Sequence, residues 1–300
     1  MIPYPNIQPE IFTIGPITVR WYGLMYVIGY LIGWKLLKSR ARLGLIRASY
    51  AQCESLITYV IIGMLLGARI VYAYVYNWEL YSTHPLQIFK VWEGGLSFHG
   101  AALGMSVACI LFARKHKLKS YSVVDSLCYC GTPGLFFGRM GNFINGELYG
   151  RPTDSSFAMI FPTDPLQLPR HPSQLYQGLT EGVLLFAVLF FLQKYLIAKK
   201  IYRNGVISGA FAILYGTFRF FTEFAREPDK QLGFVLGFLS MGQVLCLILI
   251  AVGVAVLYHA LKIEKIYQPL AQSEATLAAS PVVGVLSEKK TQSKKGRKRN

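Results

Sequence analysis

Arg219 and Glu223 stand four residues apart in Tyr215-Gly216-Thr217-Phe218-Arg219-Phe220-Phe221-Thr222-Glu223, a stretch that is otherwise largely apolar. On a helix that spacing puts both on one face, where they can pair. Two roles are open. The pair could neutralise itself and lock helix packing, or Arg219 could face an interior anion while Glu223 holds its guanidinium in place. A charge within a membrane span costs at least ~2.5 kcal/mol on insertion scales, so such a residue is a functional candidate by default. Arg139 raises the same question within Gly138-Arg139-Met140-Gly141-Asn142-Phe143-Ile144-Asn145-Gly146-Glu147. Arginine stays charged and offers a fork of N–H donors matched to phosphate oxygens. Two arginines converging from different helices would form a phosphate clamp. The competing account of Arg139 is snorkelling near a helix end.

His99, within Gly94-Gly95-Leu96-Ser97-Phe98-His99-Gly100, is either a hydrogen-bonded structural residue or a neutral imidazole able to take a proton from a nucleophile. Tyr22, within Arg20-Trp21-Tyr22-Gly23, fits an interfacial aromatic belt as readily as a site. Asp125 is expected to be a structural partner near the other end of its span. No histidines recur at ligand spacing, and Cys128-Tyr129-Cys130 lacks the C-x-x-C spacing of a redox or zinc pair. Neither a metal nor an organic cofactor is expected, and the five cysteines read as small buried apolar residues.

The elements that would position these residues are membrane helices. The chain of 300 residues is 53% hydrophobic and 15% charged, against about a quarter charged in a soluble domain. Its apolar residues gather in blocks of about 20, the length a helix needs to cross a bilayer: roughly 17–37, 53–76, 96–113, 121–138, 174–193, 207–224 and 236–260. The expected fold is therefore all-α, a polytopic membrane protein of about seven spans. The strand alternation of a barrel is absent, and no internal repeat points to a transporter built of inverted halves.

Charge placement orients the chain. Lys35 to Arg47, Arg114 to Lys119, Lys194 to Arg203 and Lys262 to Arg299 follow the first, third, fifth and seventh blocks. The positive-inside rule puts those connections in the cytoplasm and the N-terminus outside. Nine basic residues break the pattern and fall toward the outer half: Arg20, Arg69, Lys90, Arg139, Arg151, Arg170, Arg219, Arg226 and Lys230. The net charge of +16 is thus explained by topology and anionic lipid, without a nucleic-acid partner. Residues 1–265 form one expected membrane domain. Within it, about 138–173 is rich in Gly and Pro yet carries Phe143, Phe157, Met159 and Phe161, as expected of a structured external lid or re-entrant element. Residues 266–300 read as a basic, disordered cytoplasmic tail. The chain opens Met1-Ile2-Pro3-Tyr4-Pro5 without a basic leader, so the first span is expected to target the chain.

An anion transporter would spread its arginines through the membrane depth, whereas these crowd one half. A CDP-alcohol phosphotransferase would need clustered aspartates and a divalent metal, and the spans hold essentially only Asp125.

Gly138 to Thr153 closely resembles the hallmark segment of bacterial prolipoprotein diacylglyceryl transferases. The resemblance extends to Arg20-Trp21-Tyr22-Gly23, Gly94 to Gly100, Arg170-His171-Pro172-Ser173-Gln174-Leu175-Tyr176, Tyr215 to Phe220 and Glu223 to Asp229. Met140 stands where an aliphatic residue is usual, and the basic tail is longer. The resemblance implies an enzyme of the bacterial inner membrane. It would move the sn-1,2-diacylglyceryl group of phosphatidylglycerol onto the lipobox cysteine thiol of a preprolipoprotein signal peptide, releasing glycerol 1-phosphate. It implies catalytic roles for His99, Arg139 and Arg219, and lipid binding by Arg139, Asn142, Arg219, Tyr215 and Tyr22. Glu147, Gly150, Glu223 and Arg226 would support them.

Overall fold

The β-branched run Ile17-Thr18-Val19, preceded by a turn at Gly15 (φ 57°), folds the N-terminus into a hairpin. Strands β1 (Glu10–Ile14) and β2 (Ile17–Arg20) pair antiparallel, with Thr13 opposite Thr18. The computed structural model describes residues 1–5, 7–15, 17–90, 94–227, 239–262, 264, 266–267 and 274–278, without the side chains of 17, 98, 99, 274 and 275. Lys230, and all of the expected tail except residues 266–267 and 274–278, lie outside the described residues.

The chain divides into two units, Met1–Leu36 with Leu127–Gln268, and Leu37–Ser126 with Pro269–Asn300. The first two boundaries fall within helices α1 (Trp21–Arg42) and α5 (Ser120–Ile144). All seven apolar blocks contain helices, with shifted ends. The first block loses residues 17–20 to β2 because that short run pairs with β1. The fourth continues past Gly138 to Ile144, so Arg139 and Asn142 are helical, and the irregular segment up to 172 begins only at 145. Among the described residues, three helices are long and apolar enough to cross a membrane: Tyr50–Tyr76, Ser173–Ala198 and Met241–Lys262. Val206–Thr222 is apolar but shorter. Ile62, Leu66, Phe191, Ile248 and Val252 lie exposed along them, the apolar exterior that lipid would solvate.

In the second unit, α2 (Tyr50–Val71) packs on α4 (Phe98–Lys115) through facing Gly-x-x-x-Gly pairs, Gly63/Gly67 and Gly100/Gly104. A Cβ on Gly104 would collide with the Gly63 carbonyl, and one on Gly67 would lie 2.7 Å from the Gly104 Cα. Such backbone proximity replaces the hydrophobic drive that helices in lipid lack. Ser49 and Gln52 cap α2 reciprocally, and Ser97 caps α4. Arg40 is buried and donates to Ser126 Oγ at 3.0 Å, so not every basic residue of that connection is free to meet lipid. Asp125 is fully buried.

Arg69, one of the nine cations that break the charge pattern, is buried at the end of α2. It donates to the carbonyls of Gln87, Ile88, Lys90, Gly94 and Gly95 at 2.5–3.2 Å. Its guanidinium ties down the connection containing α3 (Trp78–Thr83) and the 3₁₀ turn Pro85–Phe89. Carbonyl dipoles compensate this charge, and its role is structural.

In the first unit, α6 (Ser173–Gln177) runs through a π-helical stretch, Gly178–Leu184, into α7 (Leu185–Ala198). Gly182 lies against Phe136 of α5, where a Cβ would be 2.8 Å from the Phe136 Cα. Helices α8 (Val206–Thr222) and α9 (Met241–Lys262) pack closely where Gly209, Gly216 and Gly253 remove side chains. The segment after α5 has its own small core: Tyr4, Phe143, Tyr149, Met159, Phe161 and Leu175. Tyr4 donates to the Phe143 carbonyl at 2.7 Å, pinning the N-terminus there. Short strands β3 (Met159–Ile160) and β4 (Pro169–Arg170) pair antiparallel above it. Four of the five cysteines are buried as expected. Cys128 is half-buried instead.

Candidate active site

Arg139 comes from the last turns of α5 and Arg219 from the last turn of α8. Arg219 thus sits at the negative end of its helix dipole. Both face one carboxylate, Glu181, which the π-helical stretch carries between them. Glu181 Oε2 lies 3.7 Å from Arg139 Nη2, and Oε1 lies 3.8 Å from Arg219 Nη1. Thr222 Oγ1 donates to the same Oε1 at 3.1 Å, and Glu181 is 1% exposed. The expected Arg219–Glu223 pair is present at 2.6 Å. Glu223 is held further by Ser240 Oγ at 3.2 Å and by Arg226 at 3.7 Å.

Among the described residues, three guanidinium groups meet two carboxylates in this cluster. Contacts of 3.7–3.8 Å attract electrostatically but exceed hydrogen-bonding distance. Arg219 Nη1 is buried without a hydrogen-bond partner among the described residues. Arg219 thus keeps a donor available beside Arg139, which suits an anion. Tyr215 lies one turn before Arg219, its ring stacked on Phe211 at 5.6 Å.

One turn beyond Arg139, Asn142 is buried and donates to Glu147 Oε1 at 2.8 Å; Asn145 Nδ2 reaches the same oxygen at 3.3 Å. Tyr22 packs over Gly141, where a Cβ would meet its ring at 2.7 Å, and its hydroxyl pairs with Tyr26 at 3.0 Å. Tyr22, Arg139, Asn142 and Glu147 thus gather at the C-terminal end of α5.

Gly150 is the crossing point of the outer segment. Its N–H donates to the His171 carbonyl at 2.8 Å, and it bridges Arg226. A Cβ there would collide with the Ala225 carbonyl. Arg151 Nε donates to the Arg226 carbonyl at 2.7 Å. The strand-like segment after α8, which carries Arg226, is fastened here. Beside it, Arg170 clasps Asp164 through Nε at 2.6 Å and Nη2 at 3.1 Å, and Glu227 through Nη1 at 2.6 Å. The Arg170 hydrogen bonds hold the Asp164 carboxyl below the usual carboxylate range, and burial lowers the His171 imidazole. Arg170, like Arg69, is a saturated structural cation.

The model of the prolipoprotein diacylglyceryl transferase family matches residues 9–259. The chain belongs to that family. Prolipoprotein diacylglyceryl transferases similar to it include proteins named phosphatidylglycerol–prolipoprotein diacylglyceryl transferase from three bacteria. That of Oleidesulfovibrio alaskensis is 45% identical over 88% of this chain and 97% of its own length. That of Nitratidesulfovibrio vulgaris is 47% identical over 84% and 94%, and that of Rickettsia felis 45% over 83% and 95%.

Within this diacylglyceryl transferase, nine of the ten residues expected at the site belong to the first unit. His99 belongs to the second; its backbone lies in the first turn of α4, and its side chain is outside the described residues. Sequence reasoning missed Glu181, although a lone acid inside an apolar span is a visible signal. Asp164 and Asn145 had no comparable signal, since polar residues in an outer loop are ordinary. Among the described residues, no three His, Cys, Asp or Glu side chains gather as a metal site requires.

Proposed function

We propose that the protein transfers the sn-1,2-diacylglyceryl group of phosphatidylglycerol to the lipobox cysteine of a preprolipoprotein, at the outer face of the bacterial inner membrane. Seven spans, with the N-terminus outside and the tail from about residue 266 in the cytoplasm, would carry the site in one membrane domain of residues 1–265. The observation that supports this best is the shared hold of Arg139 and Arg219 on Glu181 at 3.7–3.8 Å, beyond hydrogen-bonding distance, with Arg219 Nη1 lacking a hydrogen-bond partner among the described residues.

The lipid phosphodiester carries one negative charge and accepts hydrogen bonds from both arginines, with Tyr22, Asn142 and Tyr215 shaping its surroundings. Glu147, Gly150, Glu223 and Arg226 keep the clamp and its outer rim in place. The cysteine thiol gives its proton to His99. Its sulfur attacks the glyceryl carbon bonded to the phosphate oxygen. The C–O bond breaks as the C–S bond forms, and glycerol 1-phosphate leaves with the extra negative charge. Preorganised guanidinium groups stabilise that charge more in a water-poor site than in water.

The test is purified protein with phosphatidylglycerol and a lipobox-cysteine peptide, with and without EDTA. The expected result is a thioether-linked product in both. Absence of the thioether overturns the reading, and sensitivity to EDTA overturns its metal-free form.

A further inference from the structure

In the second unit, the connection after α2 carries an apolar surface that the transfer step leaves unused. Ile62, Leu66, Ile70, Tyr74 and Trp78 recur every fourth residue and all are exposed, so each neighbours the next along the helix. The π turn Tyr72–Tyr76 closes α2, and across the break that follows the Tyr74 and Trp78 rings stack at 5.3 Å. The row thus runs unbroken from the helix exterior onto α3. There it meets a cavity of about 450 Å³ lined by Tyr74, Trp78, Tyr81, Ser82, Leu86 and Phe89. Tyr81 is buried and packs on the Arg69 guanidinium, 5.3 Å from its ring centroid. The same guanidinium holds the carbonyls of Gln87, Ile88 and Lys90, so the groove is preformed. Yet Tyr74, Trp78, Leu86 and Phe89 are 55–77% exposed, and apolar surface gathered in this way marks an interaction site.

Depth says what covers it. The helix Tyr50–Tyr76 has 27 residues and is apolar enough to cross a membrane. At 1.5 Å per residue it extends ~40 Å, about 5 Å beyond each side of a hydrocarbon core of ~30 Å. Tyr74, two residues before its end, therefore stands where acyl chains give way to headgroups, the level at which Tyr and Trp rings are enriched. The groove continues the row that lipid solvates, so acyl chains already lie against it. A cavity of this size is within the range of about 300–1,000 Å³ that holds a small ligand. No charged side chain is among its lining residues, so nothing in it selects a headgroup. We infer that the groove framed by the π turn, α3 and the turn Pro85–Phe89 binds one acyl chain of a membrane phospholipid, whatever its headgroup. The connection is then a hook lying in the membrane interface rather than a loop in water.

The experiment titrates the purified full-length protein in detergent with phosphatidylcholine brominated near the carboxyl end of its acyl chains. The readout is quenching of Trp78 emission, taken as the wild type minus Trp78→Phe. Quenching should follow a saturable single-site curve, and brominated phosphatidylglycerol should give the same curve. Leu86→Asp places a charge in the groove and should weaken the apparent affinity about tenfold or more. Ser82→Phe fills the groove and should abolish the saturable phase. Both side chains are exposed, so both variants should keep the wild-type unfolding temperature. Quenching that rises linearly without saturation would reduce the groove to a stretch of aromatic belt and overturn the site. Absence of quenching would put the connection in water and refute it as well. Saturation by phosphatidylglycerol alone would assign the bound lipid to the arginine clamp, and loss of the bound lipid on adding a lipobox peptide would make the occupant a peptide; either result excludes the inference. Unchanged curves in both variants would do the same.

Discussion

The buried carboxylate of Glu181 stands 3.7 Å from the Arg139 guanidinium, too far for a direct hydrogen bond and near enough to fix the cation's position. Its other oxygen does the same for Arg219 at 3.8 Å. A closer contact would consume the donors that an anion needs. A missing one would leave two guanidinium groups repelling each other in a poorly solvated site.

Glu181→Gln therefore keeps the shape and removes the charge between the arginines. Breaking a buried charge pair on one side costs about 3–5 kcal/mol, and both arginines lose their common anchor. Thermal unfolding of the purified variant should shift down, with transfer reduced about tenfold or more even after stability is restored at low temperature. Unchanged transfer would mean that Glu181 only fills space.

Arg139→Ala and Arg219→Lys should each reduce thioether formation by at least about 100-fold in membranes at normal expression, the usual effect of removing a donor that stabilises developing charge. Lysine preserves the charge of Arg219 but not its fork, so it cannot hold Glu223 and a phosphate oxygen together. Full activity in both variants would refute the clamp.

Helix periodicity and the Arg219–Glu223 spacing were legible in the sequence because they are local: four residues on one helix determine one face. The sorting of the outer arginines was not. Arg69 and Arg139 look alike as isolated cations near span ends, and only the fold shows Arg69 spent on five carbonyls while Arg139 pairs with Glu181 at 3.7 Å. Glu181 became central because a π-helical stretch turns it between α5 and α8, and π-turns have no simple residue pattern. The first block's early boundary failed for a related reason, since Ile17 to Arg20 gain their strand structure from β1 and not from their own hydropathy.

The outer segment should resist mild acid. Hydrogen bonds from Arg170 depress the Asp164 carboxyl below its usual 3.8, so the unfolded chain takes up this proton more readily than the folded one. Their contribution to stability is complete above that usual value and is lost as pH falls through the lower, folded one. Protease resistance of the outer segment should therefore hold from pH 8 to about 4.5 and weaken only in stronger acid. Asp164→Asn should lose resistance across the whole range and flatten the acid limb. An acid limb identical to the wild type would assign the loss to another carboxylate.

His99→Gln separates a base from a bystander by its pH profile. A free thiol has a pKa of about 8.5, so at pH 7.5 about a tenth of the substrate cysteine is already thiolate. If that equilibrium supplied the nucleophile, losing the imidazole would cost little, and the variant would match the wild type at every pH. A positioned general base contributes about 100- to 10,000-fold, and its benefit shrinks where the thiol ionises unaided. The variant should therefore be slower by about 100-fold at pH 7 and recover about tenfold per pH unit toward 8.5, while the wild type stays nearly flat above the imidazole's range. A variant rate within about threefold of wild type at pH 7 would exclude His99 as an obligate base and leave deprotonation to the field of Arg139 and Arg219.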